Sequence, residues 1–418
     1  MPKPLVRSPL VWIAGALASV LAIVFTYAYL GAFLDPGQNA RDVPVAVVSE
    51  DAGATVHGIK LNLGKELAGS VSSGEVANES VRFTVLPSRR ALVAQMRDDK
   101  VFAAIVVPRG FSQRVASLIA GKPSSSDRLR IEILTNPAAG TIASSSGERI
   151  AKETAQTFEQ AALTRISAGL RLLGLSPSDK LAAGFADTGV VTVHPAVALP
   201  AKSALGTGPF FFQLTVALGG FFLAAIISAA AEIAAGRSKL HLLGRTLERP
   251  VANVSRSGLV ALKISLTLLF AVLTALLQTL FAVKGLGMET TNPVSLAFFS
   301  ALGSAAVAMI TLFFLLTLDV VGRIVAVLVT ILFAVPSSGG VYPAQTLPSF
   351  FRFLGDWLPL RRMTDGARSL TFFGGNGAAG LDTAIWVLAL YLGTFTLLTL
   401  LVAWNRRGAT LQGAEKVA

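Results

Sequence analysis

Five stretches of this sequence are too apolar and too long for a water-soluble domain: Leu10–Leu34, Pro209–Ala235, Gly258–Val283, Pro293–Leu318 and Thr383–Trp404. A helix of about 20 such residues crosses the ~30 Å of bilayer hydrocarbon. A sixth run, Val320–Val335, is shorter. It carries Arg323 near its start and ends against Ser337-Ser338-Gly339-Gly340, which breaks a helix. Only 14% of the 418 residues are charged, against about 25% in ordinary soluble domains. The chain reads as an α-helical polytopic membrane protein of six spans. Leu10–Leu34 is longer than the roughly 7–15 apolar residues of a signal peptide, so residues 1–34 read as a cytoplasmic tail and an uncleaved first span.

Residues 35–208 break this pattern. Charge returns and no run is long enough to span. Val43–Ser49, Val81–Leu86, Val101–Val107 and Leu129–Thr135 have the composition of buried strands. Helical patterns alternate with them over Gly58–Ser70, from Ser88 as cap to Arg97, and over Phe111–Ala120. That alternation predicts an inserted α/β domain on a mainly parallel sheet. Thr141–Leu173 reads as one long helix, with Phe158, Ala162, Ile166 and Leu170 along one face, either packed on the sheet or forming a stalk. Residues 176–203 read as linker.

Charge sets the orientation. The formal net charge is +12, and Lys and Arg collect in cytoplasmic loops. With the N-terminus inside, residues 35–208 fall outside. Residues 236–257, with Arg237, Lys239, Arg245, Arg249 and Arg256, fall inside, as does the tail 405–418. This predicts a plasma-membrane protein with both termini cytoplasmic, residues 35–208 extracytoplasmic and a five-span block over 209–404. No basic stretch is interleaved with stacking aromatics, so the positive charge points to membrane lipid and not to nucleic acid. The absence of cysteine removes disulfides and thiolate chemistry.

The search for chemistry is brief. Gly64-Lys65 and Gly121-Lys122 lack the leading glycine of a phosphate-binding loop. His57, His194 and His241 are isolated, and Ser144-Ser145-Ser146-Gly147 lacks the first glycine of a nucleophile elbow. The chain therefore reads as no enzyme, with no catalytic residues, no metal site and no cofactor. Intramembrane polar groups are functional candidates by default, which singles out Gln213, Lys263 and Gln278. Lys263, close to the inner end of its span, is expected to snorkel. Glu232 lies near Arg237, and Asp319 and Arg323 are spaced for an i,i+4 pair. In Ser238–Arg249, Leu240, Leu243 and Leu247 share a helical face, which suits a lipid-surface helix or a docking element for a cytoplasmic partner.

The segment 336–370 is neither loop nor span. Leu347, Phe350, Phe351, Leu354 and Leu358 fall at offsets 0, 3, 4, 7 and 11, one face of a short helix. Pro359 interrupts it and a basic stretch with Arg361 and Arg362 follows. Such a segment lies in the membrane interface or dips into the bilayer and returns. Its arginines are expected to meet lipid phosphate, or an acidic group on a substrate.

Four pieces carry a family resemblance: Pro44–Ala54 (PVAVVSEDAGA), Leu61–Leu67 (LNLGKEL), Phe102–Val115 (FAAIVVPRGFSQRV) and Ser337–Pro359. They fall within an order of one span, an external α/β domain, then five spans with a hairpin before the last. In that order the chain resembles the YhgE/Pip family within the ABC type 2 exporter permeases. Long members carry an extended helical stalk domain, so this chain is nearer the compact permease form. The resemblance implies a permease subunit that moves a lipidic, glycan or drug-like substrate outward. It implies pairing as a homodimer or heterodimer, with power from a separate cytoplasmic ATPase docked on the inner loop through Arg245, Glu248 and Arg249. It also implies an external re-entrant hairpin before the last span, here carrying Gly339, Gly340, Phe350, Phe351, Trp357, Arg361 and Arg362. The alternative is a non-transporting, membrane-anchored surface protein: a receptor, an assembly platform or a cell-envelope maintenance factor.

Overall fold

The computed structural model describes residues 39–74, 80–121, 129–174, 179–186, 191–200, 202–242, 245–247, 250 and 255–415. The first expected span, Leu10–Leu34, lies outside them. The chain divides into two compact units, one of Asn39–Thr207 and one that contains Gly208–Ala418.

The first unit is built on a five-stranded sheet. In chain order its elements are β1 (Val43–Ser49), β2 (Ala54–Val56), β3 (Ile59–Leu61), α1 (Leu63–Ser72), β4 (Val81–Leu86) and α2 (Arg89–Arg97). There follow β5 (Ala103–Val107), α3 (Phe111–Ile119), β6 (Ile131–Thr135), α4 (Thr141–Leu172), α5 (Asp179–Ala186) and β7 (Val191–Pro195). The sheet order is β4-β1-β5-β6-β7. β1 runs parallel to both neighbours, with Val45 opposite Phe83 on one side and Ala103 on the other. The crossovers carry α1 and α2, as parallel neighbours require. β1 and β5 are covered on both faces, which is why they read as unbroken apolar runs. β6 is antiparallel to β5, and β7 is parallel to β6. The sheet is therefore mixed, with one antiparallel pair.

Two local expectations change and one open alternative is resolved. The helix expected from Gly58 begins at Leu63, with Asn62 capping the N–H of Lys65. The preceding residues form the antiparallel β2–β3 hairpin. Its turn residues His57 and Gly58 both have positive φ, 48° and 78°, which suits a tight hairpin turn. The stretch expected as linker contains α5 and β7. The long helix α4 packs on the sheet and is not a free stalk: Phe158, Ala162, Ile166 and Leu170 are buried in one core with Val45, Ile105 and Ile133.

The second unit is helical: α6 (Gly208–Ala234), a small β8 (Leu240–Leu242) and β9 (Arg245–Leu247), α7 (Arg256–Leu280), α8 (Pro293–Val327), α9 (Ala334–Ser337), α10 (Ser349–Trp357), α11 (Pro359–Phe372) and α12 (Leu381–Glu415). Among the described residues, four helices are long and apolar enough to cross a membrane: Gly208–Ala234, Arg256–Gly285, Pro293–Asp319 and Leu381–Trp404. α8 is broken at Asp319, whose φ of 48° and ψ of −115° are not helical. A Cβ on Gly322 would lie 1.9 Å from the Phe314 carbonyl oxygen, so the chain folds straight back on itself. The returning apolar helix, Val321–Ser337, is about 25 Å long at 1.5 Å per residue. It starts beside Glu232, near one end of α6, and leads to Gly340 against Phe210, at the other end. Short as it is, it runs the length of the bundle.

Candidate functional site

At the Glu232 end, α6, α7 and the two arms of α8 enclose a cavity of about 820 Å³. Ser228, Glu232, Arg237, Lys263, Asp319 and Arg323 line it, so charge of both signs faces a space within an apolar bundle. Lys263 does not snorkel. Its side chain is 1% exposed and its Nζ lies 2.6 Å from Glu232 Oε1. It also donates to Ser228 Oγ at 3.2 Å. Position 263 lies two turns into α7 and faces α6, which puts the Glu232 carboxylate within its reach. The expected i,i+4 pair of Asp319 and Arg323 is replaced by a helix break at Asp319, which removes the spacing that such a pair needs. The break instead brings both side chains to the cavity.

The other two intramembrane candidates act as stitches between helices. Gln213 is fully buried and donates from Nε2 to Ser300 Oγ at 2.8 Å, joining α6 to α8. Gln278 donates from Nε2 to the Thr215 carbonyl at 3.1 Å, joining α7 to α6. The Oε1 of each is buried without a hydrogen bond from any described residue.

Segment 336–370 sits at the opposite end of the bundle. Gly339 turns the chain with φ of 70°. Gly340 presses so closely on Phe210 that a Cβ would come within 2.1 Å of the ring. In α10, Phe351 is buried with Leu347 and Leu332, while Phe350, Phe353 and Trp357 are exposed. Exposed aromatics at a bundle end are the usual anchors at the headgroup level. Pro359 starts α11 rather than merely interrupting α10, at the first-turn position where its missing N–H costs nothing.

The arginines of this segment are held within it. Arg361 donates to Asp356 at 2.8 Å. Arg362 lies 3.7 Å from Asp356 and 3.8 Å from Asp365. Arg352 donates to the Leu347 carbonyl at 3.1 Å, and Arg368 to that of Gly339 at 3.4 Å. The contacts of Arg361 and Arg362 with Asp356 fasten α11 to α10. The Tyr391 hydroxyl, on α12, donates to the Trp357 carbonyl, and Thr290 and Thr291 donate to that of Leu370 at 3.2 and 2.7 Å. The segment is thus tied to its neighbours on two sides.

The stretch Ser238–Arg249 departs from its expected form. Residues 240–247 are an antiparallel hairpin with Leu240 opposite Leu247 and Leu242 opposite Arg245. They are not a helix. Leu240 and Leu242 alternate with His241, a strand period, and the Leu243-Gly244 dipeptide has the length and glycine of a tight connection. Arg245 opens β9, while Glu248 and Arg249 lie outside the described residues.

The pieces of residues 39–207 that carry the family resemblance meet in space. Ser112 donates from its N–H and its hydroxyl to Asp51, at 3.1 and 2.5 Å. Its Oγ accepts the N–H of Leu63 at 2.9 Å. One buried carboxylate thus joins the end of β1 to the starts of α1 and α3. Nearby, Arg89 lies 2.7 Å from Glu132 and 3.5 Å from Glu50. Burial alone would lower its pKa, yet the two carboxylates leave it raised. Both clusters are fastenings. Sequence reasoning missed them because their members are far apart in the chain, 61 residues between Asp51 and Ser112 and 43 between Arg89 and Glu132.

The family model described as ABC-2 family transporter protein matches residues 11–404. The uncharacterized protein YhgE of Bacillus subtilis (strain 168) is 27% identical over 143 residues, which cover 33% of this chain and 18% of that protein. The match thus spans less than a fifth of the length of that relative. No solved structure matches.

Proposed function

This chain belongs to the ABC-2 family of transporter proteins, and from that premise we propose that it is the permease subunit of an exporter powered by a separate cytoplasmic ATPase. The family match over residues 11–404 carries this reading. In it, Leu10–Leu34 and Val321–Ser337 join the four long helices to make six spans. Both termini are cytoplasmic and residues 35–208 extracytoplasmic. Two permease subunits pair, and a lipidic, glycan or drug-like substrate moves outward.

The geometry supports a division of labour. The β8–β9 hairpin lies in the chain between α6 and α7, so a partner that grips residues 240–249 holds the connection between those two helices. The pair Lys263–Glu232 closes those helices together at the same end, beside a charged cavity suited to a polar headgroup. The fastened segment 336–370 closes the far end.

The test is affinity capture of the full chain from mild detergent, with co-purifying proteins identified. We expect an ATPase, and expect its loss on Arg245→Glu with Arg249→Glu at unchanged permease level. Capture of no ATPase from a sample that keeps its dimer would instead favour a membrane-anchored surface protein.

A further inference from the structure

The α/β unit contains a cleft that the proposed transport cycle does not employ. The β2–β3 hairpin, α1, α3 and the C-terminal half of α4 surround about 240 Å³. Its floor is apolar, with Leu61, Ile166 and Leu170 buried there. Its mouth carries Lys60, Glu66 and Arg165, all exposed. Two cations and one anion therefore frame an apolar hole.

The space is a consequence of residue choice on α4. Positions 162, 166 and 169 lie on one stripe of that helix and read Ala, Ile and Gly. A glycine at such a position normally marks close packing. Gly147, earlier on the same helix, is of that kind: a Cβ there would meet the Ala103 Cβ at 3.0 Å. At Gly169 a Cβ would meet nothing within 4 Å, so this glycine keeps a space open. The volume equals that of roughly eight waters, and a chain of about eight methylenes would fill it. Sites that enclose a drug-sized ligand start at about 300 Å³.

We infer that this cleft binds a free single-chain amphiphile with an anionic head, its chain between α4 and the β2–β3 hairpin and its head between Lys60 and Arg165. Apolar burial supplies the affinity, and the two cations select the charge of the head. A two-tailed bilayer lipid exceeds the volume.

The test uses the full chain in nanodiscs of zwitterionic lipid and octanoate carrying a terminal diazirine. After irradiation we expect label on peptides that contain residues 59–66 and 162–170. Excess octanoate should compete for it, and octanol should compete at least fivefold less well. Lys60→Gln with Arg165→Gln, both at exposed positions, should weaken octanoate about fivefold, the effect of losing two exposed ion pairs, and leave octanol unchanged. Gly169→Trp should abolish the label by filling the cleft, whereas Gly169→Ala should fold normally and keep most of it. Label confined to the spans, or label that survives Gly169→Trp in folded protein, overturns the inference. So does equal competition by octanol and octanoate.

Discussion

Breaking the Lys263–Glu232 pair from its two sides should give unequal results. Glu232→Gln strands a cation whose side chain is 1% exposed. Removing one partner of a buried pair costs about 3–5 kcal/mol; the remaining hydrogen bond to Ser228 and the adjoining cavity reduce this to about 2–3 kcal/mol. Lys263→Met strands a carboxylate that is 36% exposed and faces the cavity. That group keeps its hydration, so the loss is about 1 kcal/mol or less. Each kcal/mol moves Tm by ~2–4 °C in a unit of this size, so Glu232→Gln should melt about 2–12 °C below Lys263→Met. The double variant should melt close to Lys263→Met alone, because no buried charge is then left unpaired. Tryptophan fluorescence in nanodiscs, at one fixed scan rate since membrane proteins often unfold irreversibly, reads all four proteins. If Lys263→Met melts as low as Glu232→Gln, or lower, Lys263 is not the enclosed member of the pair and the reasoning fails.

Two further substitutions probe the fastenings. Gly340→Ala places a methyl on the Phe210 ring and should cost about 1–3 kcal/mol by overpacking; a Gly340→Ala, Phe210→Ala double variant that is less stable than the sum of its singles would refute that contact. Asp51→Ala leaves the Ser112 donors without their acceptor and should cost about 2–4 kcal/mol, with Asp51→Asn milder, read as faster proteolysis within residues 39–207 of the full chain; equal digestion of all three proteins would remove Asp51 from that role.

The sequence was most readable where one periodicity acted alone. Val81–Leu86 is a strand with the bounds its pattern marks, Ser88 caps α2 through the Ala91 N–H, and the four-residue step from Phe158 to Leu170 is the buried face of α4. It misled where a short apolar stretch suits two periods. Leu240, Leu243 and Leu247 share a helical face, but Leu240 and Leu242 also share a strand face, and the structure pairs them as strand with Leu247 and Arg245. It was silent where function depends on distance. Glu232 and Lys263 lie 31 residues apart on different helices, and a local partner such as Arg237 is the natural choice when only spacing is visible. The arginines of segment 336–370 drew attention as free charge. Asp356 and Asp365 stand among them in the sequence, yet only the fold of α10 against α11 brings carboxylate and guanidinium within reach.

The turn at Asp319 has a mechanical consequence. Two helices that meet with no loop between them cannot shift independently, since no slack exists to absorb the difference. The arm Pro293–Asp319 and the arm Val321–Ser337 therefore behave as one bent lever with its elbow at the charged cavity. The free end of the second arm leads straight into Gly339 and Gly340. A rearrangement at the elbow has a covalent route of about 25 Å to segment 336–370, and the π-helical turn at Leu328–Leu332 is the place on that route where it could be absorbed.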